Sequence, residues 1–290
     1  MFKGAGVAIV TPFKDGKFHK EAYEKLIEFQ IENGTQALIV LGTTGEAATL
    51  TYEEREEVIK SAIDKNAKRI PIIVGTGSNC TDTAVKYTKQ AEELGADGIL
   101  IVTPYYNKCT NKGMIEHFTA VANTTTLPVI LYNVPGRTAV NIPPDIVVAM
   151  SKVKNVIGVK EASGNISQIL EIKRLVPEDF MIYSGNDDQV VPIYACGGHG
   201  VISVASNVIP KEMQEMCEAF MNGNVAKALE LQLEYKKFID LLFSEVNPIP
   251  VKAALAEMKY IEDELRLPLT SMEENNRIKL IQEMKRLNLI

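Results

Sequence analysis

The chain has 290 residues, modestly more than the ~250 typical of a closed α/β barrel, so its length suits one barrel with an extension. A hydrophobic fraction of 46% and a charged fraction of 23% indicate a globular chain with a sizeable core and exclude a disordered one. The formal charge of -6 and pI near 5.3, with no long basic run, exclude a nucleic-acid footprint and give no reason to expect a membrane partner.

The opening segment MFKGAGVAIVTPF is interrupted by Pro12, Lys14 and Asp15 too soon for a signal segment or a span, which suggests a cytoplasmic protein. Short runs rich in valine and isoleucine then recur at 7–10, 37–40, 70–74, 98–102, 128–132, 156–160, 181–184 and 200–204. Most are followed by a polar loop and a stretch of helical spacing, the signature of βαβ units. Their apolar residues are consecutive rather than alternating, as in strands covered on both faces. Eight such units predict an α/β fold, a (β/α)₈ TIM barrel. Thr51 and Glu54 form a capping-box pattern for a helix to about 65, and Gly95 supplies a left-handed stop after a helix beginning near Thr81 and Asp82. After the eighth strand the alternation ceases, and 211–221, 225–244, 251–260 and 273–287 read as helices. The expected division is a catalytic barrel over 1–224 and a C-terminal helical extension over 225–290, packed on the barrel because no flexible linker separates them.

Reactive groups in parallel barrels gather where strands end and βα loops begin. Lys160 closes the run NVIGVK, and burial at the mouth of a dry interior would lower its pKa toward that of a carbonyl-attacking amine. On position alone, a strand-end lysine paired with a carboxylate such as Glu161 is the ordinary alternative. Tyr132 ends the preceding strand, where a phenol could relay protons, although structural tyrosines are also common there. In the loop that follows, Arg137 has the planar fork that grips a carboxylate, or is simply a surface arginine. Thr43 and Thr44 lie in LGTTGE at 41–46, where small residues expose N–H groups beside two hydroxyls and could cradle a carboxylate. Tyr105 and Tyr106 follow the fourth strand and, being adjacent, should point apart. His19, His117 and His199 are widely separated, and Cys80, Cys109, Cys196 and Cys217 contain no CxxC pair. Reduced thiols are therefore expected, with no metal and no cofactor.

The motifs GTTGE, YNVPGRT and GVKEASG, on strands two, five and six, together resemble the dihydrodipicolinate synthase family, within the N-acetylneuraminate lyase superfamily of Schiff-base aldolases. The likeness extends from GVAIVTPF to NPIPVK and LRLPLT, essentially the whole chain. The resemblance implies that Lys160 forms an imine with pyruvate and that its enamine attacks aspartate semialdehyde, giving 4-hydroxy-tetrahydrodipicolinate on the route to lysine and diaminopimelate. It further implies a proton relay of Thr44, Tyr132 and Tyr106, the last reaching a neighbouring subunit's site. The homo-oligomer would then be at least a dimer, and a tetramer by the family pattern. Thr43 and Thr44 would hold the pyruvate carboxylate, Arg137 the semialdehyde carboxylate, and backbone carbonyls near Gly185 and Ile202 would complete the site.

Related lyases and aldolases acting on sugar acids share the lysine, the tyrosine and a similar loop but usually lack an arginine matching Arg137, which favours the semialdehyde branch. A barrel that only binds a metabolite is a third reading, disfavoured by the intact set of site residues. Family members inhibited by lysine carry histidines where this chain has Tyr52 or Arg55 and a glutamate where it has Thr83, while Asn79 and Tyr105 match. Losing a carboxylate and gaining a cation there implies weak or absent feedback by lysine.

Overall fold

A computed structural model describes all 290 residues. Eight strands close into a barrel: β1 Gly4–Ala8, β2 Ala37–Val40, β3 Ile72–Gly75, β4 Gly98–Val102, β5 Val129–Asn133, β6 Val156–Glu161, β7 Met181–Ser184 and β8 Gly200–Ser203. Each pairs in parallel with its neighbours in chain order, and β8 returns to β1. The (β/α)₈ architecture expected from the eight apolar runs is therefore present. β1 lies earlier than the run at 7–10 suggested. Glycine permits this start: Gly4 pairs with Gly200, where a Cβ would come within 2.1 Å of the Gly4 carbonyl oxygen. Beyond Ala8 the chain leaves the ladder, and the Val10 N–H donates to Asn207 Oδ1 instead.

Strand residues alternate between two apolar compartments. Ile39, Ile73, Leu100, Ile130 and Ile202 fill the barrel with Phe2 and Tyr183, while Leu38, Val74, Ile99, Ile101 and Leu131 face the helices as part of the larger outer core. The covering helices are α1 Lys20–Glu32, α2 Tyr52–Asn66, α3 Thr81–Glu93, α4 Asn111–Ala122, the short α5 Pro135–Thr138 with α6 Pro144–Met150, α7 Ile166–Leu175, α8 Val190–Ala195 and α9 Pro210–Met221. The predicted capping box on α2 is formed on both sides, and Gly95 has φ +95° after α3.

Four helices follow: α10 Val225–Glu234, α11 Lys236–Leu242, α12 Ile249–Glu257 and α13 Glu274–Arg286. The single helix expected over 225–244 is two, broken at Tyr235. Leu229 and Leu233 of α10 are exposed, whereas Phe238, Ile239 and Leu242 of α11 are buried, so a continuous helix would not have brought the second apolar face onto the core. A hairpin, Phe13–Lys14 with Lys17–Phe18, was also not anticipated. Its turn is Asp15-Gly16 with both φ values positive, a hairpin signal readable in the sequence.

The tail is joined to the barrel mouth by buried polar contacts. Lys252 of α12, fully buried, lies 2.6 Å from Glu46 Oε1 and donates to the Thr11 carbonyl at 3.0 Å. Glu46 Oε2 accepts the Arg266 N–H at 3.1 Å, and the Arg266 guanidinium pairs with Glu54 on α2. Burial lowers the Lys252 pKa, and Glu46 opposes that fall. Removing one partner of such a pair strands a buried charge, whereas replacing both does not. Lys252→Met is expected to destabilise the fold by about 3–5 kcal/mol in urea denaturation. Lys252→Met/Glu46→Gln should recover most of that loss, and equal losses in the two variants would contradict a charge-based origin.

Candidate active site

Lys160 sits near the C-terminal end of β6, where the two-residue period sends it into the barrel and its neighbour Glu161 outward. Glu161 is fully engaged on that outer side: its carboxylate accepts from Asn133 Nδ2 at 3.0 Å, from the Ser163 N–H at 2.7 Å and from Gln168 Nε2 at 3.1 Å. The pairing of Lys160 with Glu161 that position alone left open is thus absent, and Lys160 forms no ion pair. Its side chain is 5% exposed. Burial pulls the ammonium down from 10.5 to about 8; the Asp187 carboxylate opposes the fall and Arg137 adds to it.

Strand register brings Tyr132 beside Lys160, the two being paired positions on β5 and β6. The lysine Nζ lies 4.4 Å from the centre of the tyrosine ring. Burial raises the pKa of the Tyr132 phenol, with Arg137 and the Thr43 hydroxyl opposing the rise. A neutral phenol next to a weakly basic amine can donate and recover a proton without leaving a stranded charge.

The 41–46 loop bounds the same cavity of about 180 Å³, which Lys160, Tyr132, Thr43, Thr44, Arg137 and Gly185 all line. Left-handed φ values of 57° at Leu41 and 52° at Glu46 make it a tight turn, and the N–H groups of Gly45 and Glu46 are used within it. Those of Thr43 and Thr44 donate to nothing in the chain. Two free N–H groups beside hydroxyls suit a small carboxylate. Arg137, on α5, has no carboxylate partner, and its Nη2 donates to the Asn247 carbonyl at 3.1 Å. Its fork therefore remains free to take an acid from solution.

The remaining expected residues are Gly185, Ile202 and Tyr106. Gly185 acts through its missing side chain: a Cβ would meet Ala162 Cβ at 2.6 Å and Lys160 Cε at 3.0 Å, so only glycine lets the lysine pass. Ile202 is fully buried in the barrel interior and does not line the cavity. Tyr106 is 90% exposed, at φ 68°, and lies outside its own chain's cavity, whereas Tyr105 lines a neighbouring one. No group of three or more His, Cys, Asp or Glu residues is arranged to hold a metal, and the four cysteines are unpaired.

The sequence pattern of the Dihydrodipicolinate synthetase family matches residues 1–287. The chain belongs to this family. A 4-hydroxy-tetrahydrodipicolinate synthase of Alkaliphilus oremlandii is 75% identical over the full length of both chains. One from Clostridium novyi is 52% identical over 95% of this chain and 93% of its own. Among solved structures, the dihydrodipicolinate synthase of Thermotoga maritima superposes with a TM-score of 0.99 at 46% identity over all of both chains. The enzyme from Acinetobacter baumannii, described as chloride-inhibited and complexed with pyruvate, gives 0.98 at 43% identity, again over all of both chains.

Two residues near the candidate site were missed in the sequence. Asp187 follows β7, is 1% exposed and accepts the N–H groups of Val204 and Ala205 at 2.9 and 3.0 Å; the strand-end rule alone would have marked it. Asn247 lies in the NPIPVK segment, and only folding brings it to the cavity. A larger cavity of about 390 Å³ adjoins the first and shares Thr43, Tyr132, Arg137 and Asn247 with it. In its wall the buried Arg55 lies 3.9 Å over the Tyr87 ring and donates to the Gly75 carbonyl at 2.8 Å, with Thr83 nearby.

The depressed pKa of Lys160 has a kinetic consequence. An amine of pKa about 8 is roughly one-tenth neutral at pH 7, against roughly one in several thousand for an ordinary lysine. The rate of imine formation with pyruvate, followed by borohydride quench, is expected to climb with pH and level off above about 8. A rise continuing to pH 10 would show that the folded environment does not tune this amine.

Proposed function

We propose that the chain is a Schiff-base (class I) lyase that condenses pyruvate with aspartate semialdehyde to 4-hydroxy-tetrahydrodipicolinate, the activity named for its relatives, in lysine and diaminopimelate biosynthesis. The observation that carries this reading is a buried lysine in no salt bridge, in register with a buried tyrosine and lining one cavity with two residues whose N–H groups are unused. Lys160 Nζ attacks the pyruvate keto carbon, the carbinolamine loses water, and the imine tautomerises to an enamine whose methylene carbon attacks the semialdehyde. The amino group of the adduct then displaces Lys160 as the ring closes. Thr43 and Thr44 hold the pyruvate carboxylate, Arg137 the second carboxylate, and Tyr132 with Thr44 moves protons.

Tyr106 completes the relay from another copy of the chain, which makes the working unit a homo-oligomer, at least a dimer and a tetramer by the family pattern. Its exposed, left-handed position supports that role. One similar solved structure is described as a monomeric variant, so assembly needs its own measurement. The unpaired cysteines suit a cytoplasmic setting. Native mass spectrometry after pyruvate and borohydride is expected to give one adduct per chain, mapping to Lys160, in a particle of two or more 32.0 kDa chains. No adduct would sink the Schiff-base reading, and a single-chain particle with full turnover would sink the shared site.

The larger cavity presents the Arg55 guanidinium, and Thr83 offers a hydroxyl where a carboxylate would attract an ammonium. Burial brings Arg55 down to about 10, still a cation at neutral pH, with Tyr87 and Tyr105 opposing the fall. Lysine at millimolar concentration is accordingly expected to inhibit the steady-state rate weakly or not at all. Strong inhibition, or lysine bound beside Tyr105 in a crystal, would refute this.

A further inference from the structure

A hydroxyl that relays protons must give and accept in turn, and it has one proton and two lone pairs. At Thr44 one lone pair is already committed, because Asn247 Nδ2 donates to Thr44 Oγ1 at 3.0 Å in a buried contact. Asn247 is 5% exposed and borders both cavities. Its main-chain carbonyl separately accepts from Arg137 Nη2. The other side-chain atom, Oδ1, is buried without a partner. Leaving such an acceptor unpaired costs stability. A leucine of similar shape would fill this position without that penalty, so what the amide adds is the hydrogen bond to Thr44.

We propose that Asn247 is a positioning residue for the reaction: its side-chain amide, by donating to Thr44, leaves the Thr44 proton free for Tyr132 and the bound substrate. The same residue's backbone carbonyl fixes the arginine that takes the second carboxylate. Both contacts reach across from the segment between α11 and α12, so the helical tail supplies part of the site. The inference rests on the Schiff-base reading and on Thr44 as a proton carrier, but it makes a claim neither contains. The side chain of Asn247 serves the chemical step, while its backbone serves binding.

Two variants separate these roles. Asn247→Leu removes the donor and keeps a branched side chain, at a larger volume. Asn247→Asp keeps the shape but presents an acceptor, which draws the Thr44 proton onto itself. Both retain the backbone carbonyl. Each is expected to lower kcat by about 10–100-fold, the range for loss of a proton-transfer function, while the KM for aspartate semialdehyde stays within about threefold. In a Thr44→Val background, Asn247→Leu should lower kcat by less than about threefold further, because the residue acts through that hydroxyl. Borohydride trapping of pyruvate on Lys160 should persist in every variant, and its absence in the unaltered protein would indict the Schiff-base reading instead. Unchanged kcat in a folded Asn247→Asp protein, a rise in KM alone, or a full additional loss in the Thr44→Val background would each overturn the proposal. Should Asn247→Leu fail to fold, the isosteric Asn247→Asp variant and its Thr44→Val double carry the test.

Discussion

An amine buried without a salt-bridge partner is the condition around which this molecule is arranged. The ammonium form of Lys160 is disfavoured because the barrel interior is apolar and its one sequence-adjacent carboxylate, Glu161, faces the other way. Asp187 is close enough to soften that effect, yet its Oδ2 accepts the N–H groups of Val204 and Ala205. Burial raises the Asp187 pKa, which those N–H groups and Lys160 counteract. The result is a lysine whose neutral form is accessible near neutral pH, an instance of burial tuning a nucleophile. Parallel pairing achieves this, since partnered positions on neighbouring strands point to the same side of the sheet and place Tyr132 next to the amine.

The second constraint is the geometry of the 41–46 loop. It must keep two N–H groups unused while exposing two hydroxyls, an arrangement that a relaxed loop would satisfy by bonding to itself. Positive φ values at Leu41 and Glu46 show that the turn is held by its surroundings. Lys252 and Arg266, both from the tail, grip the Glu46 carboxylate, and Asn247 grips Thr44. The C-terminal helices therefore do more than cover the barrel. They hold the loop that would hold the substrate.

Much of this was legible in the residue order, for definable reasons. Strand number and order follow from apolar runs of consecutive residues, because a strand sandwiched between a packed interior and covering helices has no polar face. Lys160, Tyr132, Thr43, Thr44 and Arg137 were found by the strand-end rule and by matched motifs, and folding gathers these five around one cavity. Asp187 obeyed the same rule and was passed over. The break at Tyr235 was invisible, since both halves have sound helical spacing and only their packing on different neighbours shows where the apolar face turns.

By itself the sequence determined the barrel, the candidate nucleophile and the family, since these rest on local periodicity and on short motifs whose residues stay close along the chain. Tertiary structure alone decided that Glu161 leaves Lys160 unpaired, because facing is set by strand register. It likewise decided that Gly185 matters for the side chain it lacks, because that depends on how near β7 and its following loop pass to β6. The contact of Asn247 with Thr44 joins residues 203 positions apart, and that of Lys252 with Glu46 spans 206. No local pattern encodes which polar group a distant segment will meet, so the part of the site that comes from the tail became visible only in the folded chain.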